Sequence, residues 1–172
     1  MVQVYLSLGS NRERERYISA ALDALSERFG ELQISSVYES EAVGFKGSNF
    51  YNLVVGIRTD LDVATLSACL KGIEDDNGRD RSGPRFSGRT LDIDILTYGE
   101  LKQSEAGVQL PRDEILHNAF VLCPLAELAP EARHPVLGET YAALWQQYDR
   151  PQKLWPIDFD WQGRRISRRA TA

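Results

Sequence analysis

Sulfur is scarce in this chain, with two cysteines and one methionine in 172 residues. Cys69 and Cys123 stand far apart in apolar surroundings. That excludes a disulfide framework or a cysteine metal cage, and both read as buried free thiols. Long apolar runs are missing too. None approaches the roughly 18 residues of a membrane span, and the first residues lack the basic flank, apolar stretch and small-residue cleavage site of a signal peptide. A cytoplasmic location is expected. Positive charge is in deficit, 20 Lys+Arg against 25 Asp+Glu for a net charge of −5, which argues against broad nucleic-acid binding. Repeats, low-complexity segments and interdomain linkers are absent. At 42% hydrophobic and 26% charged residues, the chain reads as one globular domain over 1–172, with a core over about 2–148 and a C-terminal extension over about 149–172. Neither nucleic acid nor membrane is expected as a partner. A monomer is expected, with a dimer left open.

What the chain does have is concentrated in Arg85-Phe-Ser-Gly-Arg-Thr-Leu-Asp-Ile-Asp-Ile-Leu-Thr-Tyr-Gly99. Residues 90–96 alternate, with Leu91, Ile93 and Ile95 facing one way and Asp92 and Asp94 the other, the period-two signature of a strand. The two carboxylates share a face roughly 6–7 Å apart along the backbone. Side by side they repel, and a hard divalent cation such as Mg²⁺ would relieve the repulsion while taking phosphate oxygens as further ligands. An exposed strand with two solvated acids fits the same pattern. The approach to the strand, residues 75–89, holds three glycines and a proline and carries Arg79, Arg81, Arg85 and Arg89. Guanidinium groups bind phosphate oxygens bidentately. Arginines delivered onto a two-carboxylate strand are the parts phosphoryl transfer requires.

Taken in order, residues 2–8 alternate as a first strand, and apolar positions from Tyr17 to Phe29 recur at helical spacing up to Gly30. Residues 32–38 read as a second strand, 39–49 as a loop and 50–57 as a third strand. A second helix is expected over about 62–75, followed by the Asp92/Asp94 strand. The order β-α-β-β-α-β predicts an α+β, ferredoxin-like core: a four-stranded antiparallel sheet with both helices on one face. Gln3, Tyr5, Ser7, Phe50, Asn52, Asp92 and Asp94 then share the other face, which the apolar stretch 120–128 and a last helix over 140–148 would partly cover. The tail from Trp155 onward has no assignable place beyond a possible added strand.

On that open face Phe50 and Asn52 lie one strand repeat apart. An aromatic ring beside an amide suits a planar heterocycle, with Phe120 available as a second ring. The alternative is that both rings are core and Asn52 caps a loop.

With Leu6-Ser-Leu-Gly-Ser-Asn11, Phe50-Tyr-Asn52, Ile73-Glu74, Gly78-Arg-Asp-Arg81, Gly88-Arg-Thr-Leu-Asp-Ile-Asp94 and Phe120-Val-Leu-x-Pro-Leu-Ala-Glu-x-Ala-Pro130 in view, the chain resembles the 6-hydroxymethyl-7,8-dihydropterin pyrophosphokinases of folate biosynthesis. The resemblance implies transfer of pyrophosphate from ATP to the pterin hydroxymethyl oxygen, with release of AMP. It implies that Asp92 and Asp94 hold two Mg²⁺ ions and that Phe50 and Phe120 sandwich the pterin. Asn52 would read the pterin's edge, with backbone groups near Val43 helping and Glu74 in the site. Arg79 and Arg89 would grip the polyphosphate, with Arg81 and Phe86 in a closing loop. This chain departs from the family pattern at Phe86-Ser-Gly-Arg89, at Arg112 in place of histidine and at Asn118 in place of arginine. Arg112 is the nearest substitute cation expected at the nucleotide, and His117 is another, although histidine is ordinarily mostly neutral at pH 7. Two other readings stand beside this one: a paralogue with the same pocket but weakened or redirected catalysis, and a non-catalytic ferredoxin-like binding module.

Overall fold

The computed structural model of the chain describes residues 1–41, 49–78, 90–105 and 108–170. Strand β1 (Val2–Ser10) runs down the middle of the main sheet, antiparallel to β4 (Phe50–Thr59) on one side and β5 (Asp92–Tyr98) on the other. Its alternation works as expected: Val4, Leu6 and Leu8 have no exposed surface. They meet Leu53, Val55 and Ile57 of β4, Leu91 just before β5, and Ile93 and Ile95 of β5 in one cluster. Helices α1 (Arg14–Phe29) and α2 (Val63–Asp76) close that face with Ile18, Leu22, Leu25, Leu66 and Leu70. Each helix ends where local chemistry allows. Gly30, at φ 80°, donates its N–H to Ser26 O and stops α1. Asp62 caps α2 by accepting the Thr65 N–H at 2.8 Å, a cap worth about 1 kcal/mol.

The strand expected over 32–38 is two short pieces, β2 (Gln33–Ile34) and β3 (Tyr38–Ser40), both antiparallel to β4. Serine side chains break it. Ser35 Oγ accepts the Val54 N–H at 2.9 Å, and Ser36 donates to the Glu127 carboxylate through Oγ at 2.6 Å. Side chains thus take bonds that a ladder would otherwise use. A short hairpin absent from the sequence reading, β6 (Gln103–Glu105) with β7 (Val108–Leu110), follows β5 and leads through a cis Leu110–Pro111 bond to α3 (Glu114–His117). Both cysteines are free, but they are half-buried rather than buried. Cys69 falls one place off the Leu66/Leu70 stripe of α2, and Cys123 beside the inward Leu122 of α4.

The second face of the sheet is covered over part of its area by α4 (Ala119–Leu128) and α5 (Tyr141–Gln147), where Val54 and Leu96 pack against Ile115, Val121, Leu122, Leu125 and Tyr141. The extension finds a place as well. Strand β8 (Leu154–Pro156) pairs with β3, giving the order β5-β1-β4-β3-β8. Beyond it β9 (Phe159–Trp161) and β10 (Arg164–Ser167) form a hairpin whose Phe159 is 5% exposed in the helix-side core. What α4 and α5 leave uncovered on the second face is the ground around the Asp92 end of β5.

Candidate active site

Strand register sets out the site. Asp92 lies opposite Gly9, Gly9 opposite Asn52, and Asn52 opposite Tyr38, so four strands present one row on the same face. Neighbouring strands stand about 4.8 Å apart, which separates Asp92 from Asn52 by roughly 10 Å. Between them Gly9 offers no side chain. The result is a trough, a cavity of about 170 Å³ lined by Ser7, Gly9, Ser40, Phe50, Asn52, Asp92, Asp94, Glu114 and Phe120, with Glu41 at its edge. Phe50, Asn52, Phe120, Asp92 and Asp94, expected from sequence to converge, do line one cavity.

Its apolar end and its acidic end are held differently. Asn52 is 6% exposed, and its Oδ1 accepts from Ser40 Oγ at 3.0 Å. That bond orients the amide and leaves Nδ2 on the side of Gly9, where an added Cβ would come within 2.9 Å of it. Phe120 reaches the cavity from the first turn of α4. The turn is braced by the extension: Gln152 accepts the Ala119 N–H through Oε1 and donates to His117 O at 3.2 Å, where Tyr148 Oη also donates at 2.9 Å.

At the acidic end, burial pushes the Asp94 carboxyl up to about 6; Arg112 opposes the rise, and Asp92, Glu114 and Glu74 add to it. Arg112 Nη2 lies 3.8 Å from Asp94 Oδ1, while Glu114 Oε1 accepts from Nη2 at 2.9 Å and Nε at 3.0 Å. Burial works against the Arg112 charge, but Asp94 and Glu114 outweigh it and its pKa is raised. Among the described residues no group of three or more Asp, Glu, His or Cys side chains forms a ready metal cage. Two adjacent carboxylates on one strand face fit the chemistry of Mg²⁺, a hard cation that takes one or two carboxylates and completes its sphere with water and phosphate oxygens.

Glu74, expected in the substrate site, is not among the residues lining the cavity. It is 6% exposed on α2, and its Oε2 accepts the Ile93 N–H at 2.7 Å. It therefore pins the backbone between the two acids. Val43, Arg79, Arg81, Phe86 and Arg89 lie outside the described residues. Ser7, Gly9, Ser40 and Glu114 had no role assigned from sequence. The glycine within an alternating strand was the available signal, since it marks a close approach.

Comparison with known proteins shows the family and the fold. A family model described as 7,8-dihydro-6-hydroxymethylpterin-pyrophosphokinase matches residues 5–130. A 2-amino-4-hydroxy-6-hydroxymethyldihydropteridine pyrophosphokinase of Pseudomonas aeruginosa is 40% identical, over 78% of this chain and 86% of its own length. Its counterpart in Porphyromonas gingivalis is 37% identical, over 76% and 92%. Among solved structures, wild-type Plasmodium falciparum HPPK-DHPS superposes with a TM-score of 0.69 at 16% identity, covering 96% of this chain. The present chain spans 50% of that longer one, and the likeness bears on the fold alone.

Proposed function

The chain belongs to the 7,8-dihydro-6-hydroxymethylpterin pyrophosphokinase family, and on that premise we propose how its cavity divides the work. The enzyme transfers pyrophosphate from ATP to the hydroxymethyl oxygen of 6-hydroxymethyl-7,8-dihydropterin, releasing AMP, a step of folate biosynthesis. In our reading the pterin lies in the trough over Gly9 between Phe50 and Phe120, with Asn52 Nδ2 donating to its edge. Stacking supplies area, and the oriented amide supplies identity. Asp92 and Asp94 would hold two Mg²⁺ ions, which when bound neutralise phosphate oxygens and bring the attacking oxygen in line. Arg79, Arg81 and Arg89, which precede β5 in sequence, would hold the polyphosphate together with Arg112.

The observation that carries this reading is the row Asp92–Gly9–Asn52. It sets Asn52 and the acids at opposite ends of one gap, so a ring held at Asn52 would have room to extend its substituent toward the acids. The test is AMP release in Mg²⁺ by Asp92→Ala and Asp94→Ala. Both variants should lose nearly all turnover while melting cooperatively. Near-normal turnover in either would sink the two-acid site.

A further inference from the structure

The position of Arg112 carries more than a contact to nucleotide. Its backbone N–H is fixed to Leu96 O at 2.9 Å on β5, so the residue stands beside the strand that bears both acids. Its side chain is only partly exposed, at 32%. Glu114 Oε1 takes both Nε and Nη2, and this grip turns Nη2 toward Asp94 at 3.8 Å. Asp92, Asp94 and Glu114 line one cavity, and among the described residues the cation paired with Asp94 is Arg112.

A divalent ion and a guanidinium cannot both stay close to Asp94 without repelling each other. At 3.8 Å from the carboxylate, the guanidinium stands close enough for its charge to act strongly on any cation bound there. An incoming metal ion must offset that repulsion or displace the arginine. A polyphosphate arriving with the metal changes the balance, because it offers the displaced guanidinium new oxygens within reach of the same tether. We propose that Arg112 is a tethered counter-cation, gripped by Glu114, that exchanges between Asp94 and the nucleotide's phosphates. Metal alone then binds the site weakly, and metal and nucleotide enter as a unit. The inference rests on Asp94 as a metal ligand, and it assigns Glu114 the role of a positioning residue.

Mn²⁺ is the probe, titrated by calorimetry and by electron paramagnetic resonance into nucleotide-free protein. Wild type is compared with Arg112→Gln, Arg112→Met and Asp94→Asn, each first shown to melt cooperatively. Both Arg112 variants should bind Mn²⁺ about fivefold more tightly than wild type, the scale of a partly exposed ion pair. Both should bind ATP more weakly in EDTA, so the two affinities move in opposite directions. A general loss of structure would weaken both. Unchanged or weaker Mn²⁺ binding in both Arg112 variants, with loss of Mn²⁺ in Asp94→Asn, overturns the exchange and leaves the metal site standing. Tighter Mn²⁺ with unchanged ATP overturns the phosphate half. Full Mn²⁺ binding by Asp94→Asn overturns the metal reading and the exchange with it.

Discussion

Asp94 faces a conflict that most surface acids escape. Burial disfavours its charge, Asp92, Glu114 and Glu74 add repulsion, and Arg112 relieves only part, so its carboxyl titrates at about 6 rather than 3.8. With the folded value above the unfolded one, the folded protein binds an extra proton between those pH values. Its stabilising contribution is complete below pH 3.8 and is lost as pH rises through about 6. In EDTA, then, Asp94→Asn should melt above wild type near neutral pH, and the two should converge as the pH is lowered toward the unfolded value. Saturating Mg²⁺ and ATP should reverse the neutral-pH order, since the carboxylate then gains a ligand that the amide lacks. Melting curves across the pH series decide it. A wild type that outlasts the variant at neutral pH in EDTA would mean that Asp94 is well satisfied without metal.

At the scale of the element, β1 contributes most to the site by what it omits. Gly9 stands between Asp92 and Asn52 in the row, and a methyl group there would approach Asn52 Nδ2 to 2.9 Å. The atom it meets is the free end of a side chain, so the fold can yield cheaply; the substrate reader cannot. Gly9→Ala should leave Tm within a few degrees of wild type and weaken pterin binding at least tenfold, with ATP binding little changed. Fluorescence titration of a pterin against the two proteins checks this, and a pterin affinity equal to wild type would remove Asn52 Nδ2 from the contact. The same strands show how far sequence reasoning reaches. Alternation placed Asp92 and Asp94 on one face, and period 3.6 found the buried stripes of α1 and α2, because both follow from which way a Cβ points. It missed the break at Ser35 and Ser36, where side-chain bonds to Val54 and Glu127 replace the ladder. It also missed the Glu114–Arg112–Asp94 contacts, because Asp94 and Arg112 meet only after the β6–β7 hairpin returns the chain to β5. Gln152 is legible only in three dimensions as well, since it braces the turn before Phe120 from 33 residues away.

At the scale of the molecule, the extension does more than lengthen the chain. Strand β8 covers the β3 edge, although Trp155 on it remains 39% exposed. The β9–β10 hairpin is tied down at several points: Trp161 Nε1 donates to Asp23 at 2.9 Å, and Ser167 Oγ accepts the Val37 N–H at 2.8 Å and donates to Ile157 O at 2.6 Å. The aromatic part of the tail therefore packs on the body, against α1 and the start of β3. Phe159 is its anchor. Its ring meets Tyr51 edge-on, with centroids 6.5 Å apart, and the Arg14 guanidinium lies 4.0 Å from the Tyr51 ring centroid. Arg14 in turn holds Glu39 at 3.1 Å and Asn49 O at 3.0 Å. Tyr51 faces the helix-side core, whereas its neighbours Phe50 and Asn52 face the cavity. Emptying the Phe159 site should thus damage the layer behind the sheet and not the one in front. A buried Phe→Ala change costs about 3–5 kcal/mol, which in a chain of this size lowers Tm by roughly 10 °C. Phe159→Ala should show that loss in thermal and urea unfolding. Below its Tm, its pterin affinity should stay within about threefold of wild type, because β4 remains paired with β1 and β3 on both sides. A fall in pterin affinity matching that of Phe120→Ala, with little loss of stability, would place the hairpin's influence at the cavity instead of the core.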